Sequence, residues 1–453
     1  MKNIILFLTC DHGAWANGFY GNKHIITPTL DKLANDGIVF ENAFTPTPVC
    51  SPSRACLMTG KTPSQIGIHD WLEETYDDIA NKDWLNGQKT LFDYIKTKGY
   101  YNALLGKWHL GRSHFKPSGV DYHFGIHHWQ GNHNENYEYV LNGDLINLDG
   151  NKSEFVTDHA IKFLNNYLDK PKFLKIGYIA THSPYTQQSH DRKITKLYHN
   201  NDFKELPIYK AHPFVKNEGT PNHPTEEELR DRYIGYYSAV TEIDKNIQRI
   251  ITHLDNINQL KDTLIIYTSD HGCAIGHHGF FGKGNSTRPL NMYETSLRIP
   301  LFFYGYGKNS QRVSNYVDHY DTFQTLLDLL DFKIDKNIFP GKSFLEILNG
   351  NQNISWDNTK YGEYGDLRMV RNKNHKLIIR YSNKNQNSFF DLNNDPEELY
   401  DTYEKNKDTD DFVNLHKQLK NFYKKYSSKE YSGLKVKTLP RHNYGHEAWR
   451  PYI

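Results

Sequence analysis

Short runs of consecutive apolar residues alternate along this chain with segments in which apolar residues recur at the period of a helix. Short apolar runs bounded by polar residues predict buried strands, and the periodic segments predict helices. The predicted strands cover residues 4–8, 101–105, 173–179, 264–268 and 299–304. The predicted helices cover residues 29–36, 90–98, 153–168, 225–254 and 320–330. This alternation predicts an α/β fold, with a large, mostly parallel sheet flanked by helices.

The character of the sequence changes near Lys342. Asn, Asp and Lys become dense, and the pattern predicts a short strand at 376–381 and a polar helix at 410–426. A small antiparallel sheet plus a helix, packed on the main domain, fits this pattern. We therefore expect a larger α/β domain over residues 1–341 and a smaller C-terminal α+β subdomain over residues 342–453.

The composition excludes several classes of partner. The 453 residues carry a formal net charge of +1 and no block of basic residues, which argues against nucleic acid and membrane surfaces. The cysteines, Cys10, Cys50, Cys56 and Cys273, are too few and too scattered for a disulfide framework. The apolar run at 4–8 is shorter than the core of a signal peptide, and no stretch approaches a membrane span. We expect a cytoplasmic protein, and the sequence leaves its oligomeric state open.

The most specific motif surrounds Cys50, which is followed by Pro52 and Arg54. Ser51, Pro52 and Ser53 are residue types that begin helices. A cysteine at the positive end of a helix dipole, with a guanidinium nearby, favours an anionic nucleophile or an anionic substrate. The alternative is a buried thiol that only packs at a helix start.

Acidic residues follow two of the predicted strands. Asp11 follows the strand at 4–8, and Asp270 and His271 follow the strand at 264–268. Open α/β sheets bind ligands at the carboxyl ends of their strands. Carboxylate oxygens suit hard divalent cations, and imidazole suits mixed sites, although turn chemistry also explains Asp at these positions. We expect a metal site here. The neighbouring His12 lies within reach of such a site, but we expect it to face solvent.

Cationic and imidazole side chains follow other predicted strands. Lys107 and His109 follow the strand at 101–105, His182 precedes Ser-Pro after the strand at 173–179, and Lys283 lies in a glycine-rich loop. Lys107 and His109 are two positions apart, so in an extended segment they point the same way. A single Lys or His is usually a surface residue, but this shared placement predicts an anion-binding site with proton donors.

The run around Cys50 resembles the signature of the formylglycine-dependent (type I) sulfatases of the alkaline phosphatase superfamily. The segments around Lys107, His182 and Lys283 and the stretch 389–398 resemble further elements of that family, in the same order. The resemblance implies an alkaline phosphatase-like fold and hydrolysis of a sulfate ester, with a sulfated saccharide as the expected substrate. It implies that a maturation enzyme oxidises Cys50 to formylglycine (3-oxoalanine), whose hydrate is the nucleophile.

The resemblance also implies a metal site. One divalent cation is expected on Asp11, Asp270, His271 and the modified Cys50, with Ca²⁺ as the first choice and Mg²⁺ or Mn²⁺ as alternatives. The sequence departs from the family at Cys10, where many members have Asp. A thiol that pointed into the site would favour softer metals.

The resemblance implies roles for the remaining residues. Arg54, with the metal, would stabilise the oxyanion of the nucleophile, and Lys107 and Lys283 would hold sulfate oxygens. His182 would protonate the leaving oxygen, with Lys283 as its competitor. His109 would take a proton from the second hydroxyl of the sulfated hydrate, which expels sulfate. Which histidine is the acid and which is the base stays open.

Two other functions are compatible with these residues. A phosphonate or phosphate ester hydrolase of the same superfamily would use a similar metal site, because fold and metal do not fix the reaction. A non-catalytic glycan-binding protein on this fold would lack the aldehyde and have a degraded metal site. On the expected pocket rim, Arg288 or Arg368 would be able to bind a substrate carboxylate, although we expect each to be an ordinary surface arginine. His127, His128 and Trp129 lie in another rim loop.

Overall fold

A computed structural model describes residues 3–126, 134–166, 169–204, 206–215, 224–307, 310–351, 354–382, 386–445 and 447–450. The strands are β1 (Asn3–Thr9), β2 (Ile38–Phe44), β3 (Tyr101–Gly106), β4 (Tyr122–Ile126), β5 (Asn134–Leu141), β6 (Asp144–Asn151), β7 (Lys172–Gly177), β8 (Thr263–Ser269), β9 (Ala274–Ile275), β10 (Phe281–Gly282), β11 (Arg298–Ile299), β12 (Leu301–Tyr304), β13 (Gln311–Asp318), β14 (Lys360–Tyr364), β15 (Leu367–Arg371), β16 (His375–Arg380) and β17 (Ser388–Asp391). The helices are α1 (Pro28–Asp36), α2 (Cys50–Thr59), α3 (Pro63–Ile66), α4 (Asp77–Ala80), α5 (Leu91–Lys96), α6 (Lys152–Asn166), α7 (Arg192–Thr195), α8 (Glu226–Asn256), α9 (Glu294–Leu297), α10 (His319–Leu329), α11 (Leu345–Leu348), α12 (Tyr403–Asn406) and α13 (Asp410–Lys425).

One large sheet organises the fold. Its strand order is β11-β2-β12-β8-β1-β7-β3-β4-β5-β6, and β13 pairs with β2. The central strands β8, β1, β7, β3 and β4 run parallel, and antiparallel strands flank them on both sides. The predicted α/β fold, with a large sheet of mostly parallel strands, is confirmed.

Helices cover both faces of this sheet, as β1 shows. Ile4, Leu6 and Leu8 belong to one apolar core, to which α2, α5 and α10 contribute. Ile5 and Phe7 belong to a second core, with α1, α6 and α8. Because both faces are covered, every residue of β1 is buried, which explains its uninterrupted apolar run.

The strand predictions failed where strands are polar or interrupted. The polar pair Glu41 and Asn42 breaks the apolar run of β2. β5 and β6 form a hairpin at the sheet edge, and the side chains of β6 are exposed or half-buried. The predicted strand at 299–304 is divided into β11 and β12 around Pro300. The end of the predicted helix at 153–168 lies outside the described residues.

The C-terminal part forms the predicted antiparallel sheet and helix. Its strands pair in the order β14-β15-β16-β17. Helix α13 packs on this sheet through an apolar face that includes Phe412, Leu415 and Leu419. A buried carboxylate joins the sheet to the larger domain, because Glu363 on β14 accepts hydrogen bonds from the backbone N–H and the hydroxyl of Ser64, at 2.9 and 2.7 Å. The domain boundary at 341/342 stays a prediction.

Among the described residues, no helix combines the length and the apolar character that crossing a membrane requires.

Helix α8 approaches the loop after β7 at a glycine. A Cβ atom on Gly235 would lie 1.8 Å from the carbonyl oxygen of Tyr185. The same loop carries His182. The loop can lie this close to α8 because residue 235 is glycine and has no side chain. The close approach explains a glycine in the middle of a helix, where glycine is otherwise costly.

We predict that Gly235→Ala lowers the free energy of unfolding by about 1–3 kcal/mol, because the added methyl group must displace the Tyr185 backbone. Urea unfolding measures the change. Ser238→Ala is the matched control, since Ser238 is buried on the same helix and its hydroxyl has no hydrogen-bond partner among the described residues. Equal stability of Gly235→Ala and the wild type would show that displacing the loop costs no more than the roughly 1 kcal/mol that alanine gains over glycine within a helix.

Candidate active site

The register of two parallel strands brings the acidic loops together. Thr9 at the end of β1 pairs with Ser269 at the end of β8. The next residues bridge the two loops, because the backbone N–H of Asp11 donates to Oδ1 of Asp270 at 3.1 Å, and the N–H of Asp270 donates to the carbonyl of Thr9 at 3.0 Å. The two acidic loops predicted to share one sheet edge therefore meet.

Cys50 is the first residue of α2, so the predicted helix start is confirmed. The neighbouring hydroxyls do not cap this helix. Ser51 Oγ accepts from the N–H of Leu72 at 3.0 Å, and Ser53 Oγ donates to the carbonyl of Asp270. The helix start is thus tied to the acidic loop. The Cys50 thiol, 1% exposed, lies 3.3 Å from Nε2 of His271.

Arg54 lies one turn into α2 and faces an acidic residue. Its Nε and Nη2 lie 2.9 and 2.8 Å from Oδ2 of Asp270, and both side chains are buried. Its Nη1 donates to the carbonyl of Lys107 at 3.0 Å. Arg54 therefore fixes the orientation of the Asp270 carboxylate and holds the segment that carries Lys107.

Two lysines reach the cysteines from different loops. Lys107 Nζ donates to Sγ of Cys10 at 3.2 Å. Lys283 Nζ lies 2.7 Å from Oδ1 of Asp11 and 3.1 Å from Sγ of Cys50. The structure therefore brings both predicted cationic residues to the start of α2.

The two predicted histidines differ in exposure. His109 is buried and its Nε2 hydrogen-bonds with the carbonyl of Leu72 at 2.8 Å. His182 is partly exposed and its Nδ1 lies 3.0 Å from the carbonyl of Ser183. Burial lowers the pKa of His109, as does the charge of Lys107, whereas a hydrogen bond with Cys50 acts to raise it. Although His182 is partly exposed, loss of hydration in the site and the charges of Lys283 and Lys107 lower its pKa to about 4.

The surroundings act against burial at the Cys50 thiol but reinforce it at the Cys10 thiol. Burial would raise the pKa of the Cys50 thiol, but a hydrogen bond from Cys10 and the charges of Lys107 and Lys283 hold that pKa well below its usual range. Burial and the same contact raise the pKa of Cys10 well above its usual range. Between the two sulfurs, negative charge is therefore favoured on Cys50.

The carboxylates stay ionised in spite of their burial. Burial would raise the pKa of Asp270, but His271 and Arg54 lower it to about 2. Burial would also raise the pKa of Asp11, but the charge of Lys283 holds that pKa below its usual value. Both groups can therefore serve as anionic ligands.

Two overlapping sets of side chains have the spacing of metal ligands. In each set the candidate ligand atoms lie within 4.8 Å of one another, and the sets are Cys10, Asp11, Cys50 and His182, and Cys50, Asp270 and His271. The donor types, two carboxylates and an imidazole beside position 50, fit a divalent cation. Cys10 points into the site. It therefore offers a sulfur atom at a position where many members of the resembled family have the carboxylate of an Asp.

Several buried residues that support the site were not predicted. Tyr236 donates to the carbonyl of Asp11 at 2.7 Å, and Tyr185 Oη lies 3.4 Å from Oδ2 of Asp11. His319 Nε2 hydrogen-bonds with the carbonyl of Asp270 at 3.2 Å, and Lys175 donates to the carbonyl of Lys107. These four residues lie on different parts of the fold, and the sequence around each of them does not indicate contact with the site.

Two expectations about individual side chains were wrong. His12 does not face solvent, since it is fully buried between the Tyr267 hydroxyl, 2.8 Å from Nδ1, and the Ala16 carbonyl, 2.9 Å from Nε2. Arg368 is not a surface arginine, since its side chain is buried, and its Nε lies 2.9 Å from Oε1 of Glu363, which leaves it unsuited to a substrate carboxylate.

The rim is described only in part. Arg288 lines a cavity of about 200 Å³ together with Arg380 and Trp449. The expected rim residues His127, His128 and Trp129 lie outside the described residues.

Solved structures share this fold over nearly the whole chain. A protein in complex with its substrate D-glucosamine-2-N,6-O-disulfate aligns with a TM-score of 0.80 and 23% identity, over 95% of this chain and 99% of that protein. The phosphonate monoester hydrolase of Agrobacterium radiobacter aligns with a TM-score of 0.75 and 18% identity, over 94% of this chain and 96% of that protein.

Sequence comparisons identify the family. The N-acetylglucosamine-6-O-sulfatase of Bacteroides thetaiotaomicron is 26% identical over 89% of this chain and 83% of its own length. The family model "Sulfatase" matches residues 2–332, and the model "N-sulphoglucosamine sulphohydrolase, C-terminal" matches residues 276–425. The family membership and the named sulfatase relatives favour an enzyme over a non-catalytic glycan-binding protein. The chain belongs to the sulfatase family and is a sulfuric ester hydrolase.

Proposed function

We propose that this sulfatase removes a sulfate group from a saccharide, with position 50 as the nucleophile. The observation that carries the proposal is the convergence of Lys107, His109, His182 and Lys283 on Cys50 at the start of α2. The saccharide class rests on the N-acetylglucosamine-6-O-sulfatase that this chain resembles and on the glucosamine disulfate bound by its structural neighbour. No nucleic acid or membrane partner is part of the proposal.

The nucleophile is proposed to arise by modification. A maturation enzyme would convert Cys50 to formylglycine, which in its hydrated form supplies a hydroxyl oxygen in place of the thiol. The surroundings suit an anionic oxygen, because position 50 begins a helix and Lys283 Nζ lies 3.1 Å from its side chain. Lys283 would therefore stabilise the attacking group and orient it.

A divalent cation is proposed on Asp11, Asp270, His271 and position 50. Such an ion supplies Lewis-acid stabilisation of negative oxygen. Ca²⁺ is the ion that the family resemblance implies, and Mg²⁺ and Mn²⁺ are the alternatives. Arg54 would orient the Asp270 carboxylate through its two contacts at 2.9 and 2.8 Å, so its part in catalysis is to position that ligand.

The remaining side chains would have separate roles around the sulfate. Lys107 and Lys283 would bind its non-bridging oxygens. The structure describes all six predicted catalytic residues. Five of them are buried, and His182 is partly exposed. Because the leaving saccharide must depart toward solvent, His182 would donate the proton to the leaving oxygen. Its pKa of about 4 would have to rise beside the negative charge of a bound sulfate ester, and Lys283 remains the competing donor. The buried His109, close to Cys50, would then be the base that restores the nucleophile.

A phosphonate ester hydrolase is the second candidate function. The observation that favours it is the alignment with a phosphonate monoester hydrolase over 94% of this chain. Lysine and histidine side chains beside a divalent cation serve transfer of phosphoryl and sulfuryl groups alike. Relative rates on an aryl sulfate and an aryl phosphonate separate the two candidates.

We predict that protein produced together with a maturation enzyme contains an aldehyde at position 50. The tryptic peptide covering residues 33–54 holds Cys50 as its single cysteine. Its mass should fall by about 18 Da, and sulfatase activity should rise with the converted fraction. Protein produced without the maturation enzyme is the control. Full activity with an unmodified thiol would contradict the proposed nucleophile, and faster turnover of the phosphonate would favour the second candidate.

We predict that the loss of activity in His182→Ala depends on the leaving group. A saccharide alkoxide needs a proton in the transition state, whereas an activated nitrophenolate does not. The kcat/KM of the variant should therefore fall by about 10²–10⁴-fold on a sugar sulfate and much less on nitrophenyl sulfate. Lys283→Ala is the comparison, because a sulfate ligand should affect both substrates alike. Equal losses in His182→Ala would assign the proton donor to another residue.

We predict that Asp11→Asn lowers bound divalent metal by at least about tenfold, because it removes one ligand charge at nearly constant size. Elemental analysis of the purified protein measures the metal and identifies it. Asp244→Asn is the control, since Asp244 is buried on α8 and accepts from the backbone N–H of Leu30 at 2.7 Å, away from the site. Full metal content in Asp11→Asn would place the ion elsewhere.

A further inference from the structure

We propose that Cys10 and Cys50 form a disulfide in folded chains whose Cys50 has not been converted, so that the unconverted enzyme has a distinct oxidised form. The two sulfurs lie 3.9 Å apart. Both side chains are buried, and each sulfur also lies near Oδ1 of Asp11, at 3.4 Å from Cys10 and 4.0 Å from Cys50. The proposal concerns the thiol form of the chain and does not depend on its substrate.

The geometry requires a small movement. Sulfurs in a disulfide are about 2 Å apart, so the two sulfurs must approach each other by roughly 2 Å. Cys10 lies on the loop after β1 and Cys50 at the first position of α2, and rotation about χ1 of either side chain moves its sulfur on that scale. The ammonium groups of Lys107 and Lys283 lie 3.2 and 3.1 Å from the Cys10 and Cys50 sulfurs, so both sulfurs are held in the same small part of the site.

The other two cysteines have different surroundings. Cys56 Sγ lies 3.7 Å from the Tyr320 hydroxyl, and Cys273 Sγ lies 3.2 Å from the Tyr185 hydroxyl. Both thiols are buried and unbridged. They therefore serve as internal controls for oxidation of buried thiols in the same molecule.

The oxidant is hydrogen peroxide, which is small enough for a buried site. The Cys50 sulfur attacks one oxygen, the O–O bond breaks, and sulfenic acid and one water form. The Cys10 sulfur then attacks the Cys50 sulfur, the S–O bond breaks, and the hydroxyl leaves as a second water. Two thiols are oxidised by two electrons in total, and one peroxide is reduced to two waters.

The disulfide would have a consequence for maturation. It consumes the thiol that the maturation enzyme must oxidise, so an oxidised chain cannot become active until the bond is reduced. Once position 50 is an aldehyde, Cys10 has lost this partner sulfur. The oxidised form is therefore confined to unconverted protein.

Peptide mapping of the full chain tests the proposal. Protein made without a maturation enzyme is reduced, desalted, treated with peroxide, alkylated and digested without reductant. The four cysteines fall in separate tryptic peptides, residues 3–23, 33–54, 55–61 and 262–283. We expect peptides 3–23 and 33–54 to appear joined, about 2 Da below their summed mass, and to separate on reduction. This pair should exceed any other cysteine pair by at least about tenfold, since its sulfurs are held close together.

Variants separate this bond from general oxidation. Cys10→Ser should abolish the joined peptides, and Cys273→Ser should leave them unchanged, with thermal unfolding confirming that both variants are folded. Overoxidised Cys50 without joined peptides, or random pairing that includes Cys56 and Cys273, would overturn the proposal. Because the assay reads mass and not activity, either result leaves the proposed sulfatase mechanism to its own tests.

Discussion

The register between β1 and β8 is the constraint on which the site depends. These parallel strands end at paired residues, Thr9 and Ser269, so the two loops that follow begin side by side at the same edge of the sheet. Asp11 and Asp270 then bind each other's loops through backbone N–H groups. A shift by one residue would turn each buried side chain of β1 to the other face of the sheet and would separate the two carboxylates.

Buried charges explain how the rest of the site assembles around this pair of loops. A buried charge is costly unless it is paired, and removal of one partner leaves the other unbalanced. Arg54 pairs with Asp270, and Lys283 pairs with Asp11. Lys107 donates to the thiol of Cys10. The site therefore brings three cationic side chains together with two carboxylates, an excess of positive charge that suits an anionic substrate such as a sulfate ester.

The sequence predicted those parts of the site that local pattern determines. β1 and β8 each contain a continuous apolar run, at residues 4–8 and 264–267, so the sequence showed where these strands end and which polar residues follow them. The start of α2 was visible in the residue types around Cys50. The sequence did not predict that Cys10 points into the site or that His12 is buried, because each depends on contacts with residues more than 30 positions away along the chain. The polar edge hairpin of β5 and β6 was missed because it has little apolar surface to form a pattern.

The central claim is that the convergent side chains around position 50 hold a sulfate group. A crystal structure of a Cys50→Ser variant with a 6-sulfated glucosamine tests it most directly. The account predicts the sulfate within hydrogen-bond distance of the Lys107 and Lys283 ammonium groups, with the sugar on the side of His182. A sulfate bound elsewhere, for example in the cavity beside Arg288, with these side chains contacting only protein, would contradict it.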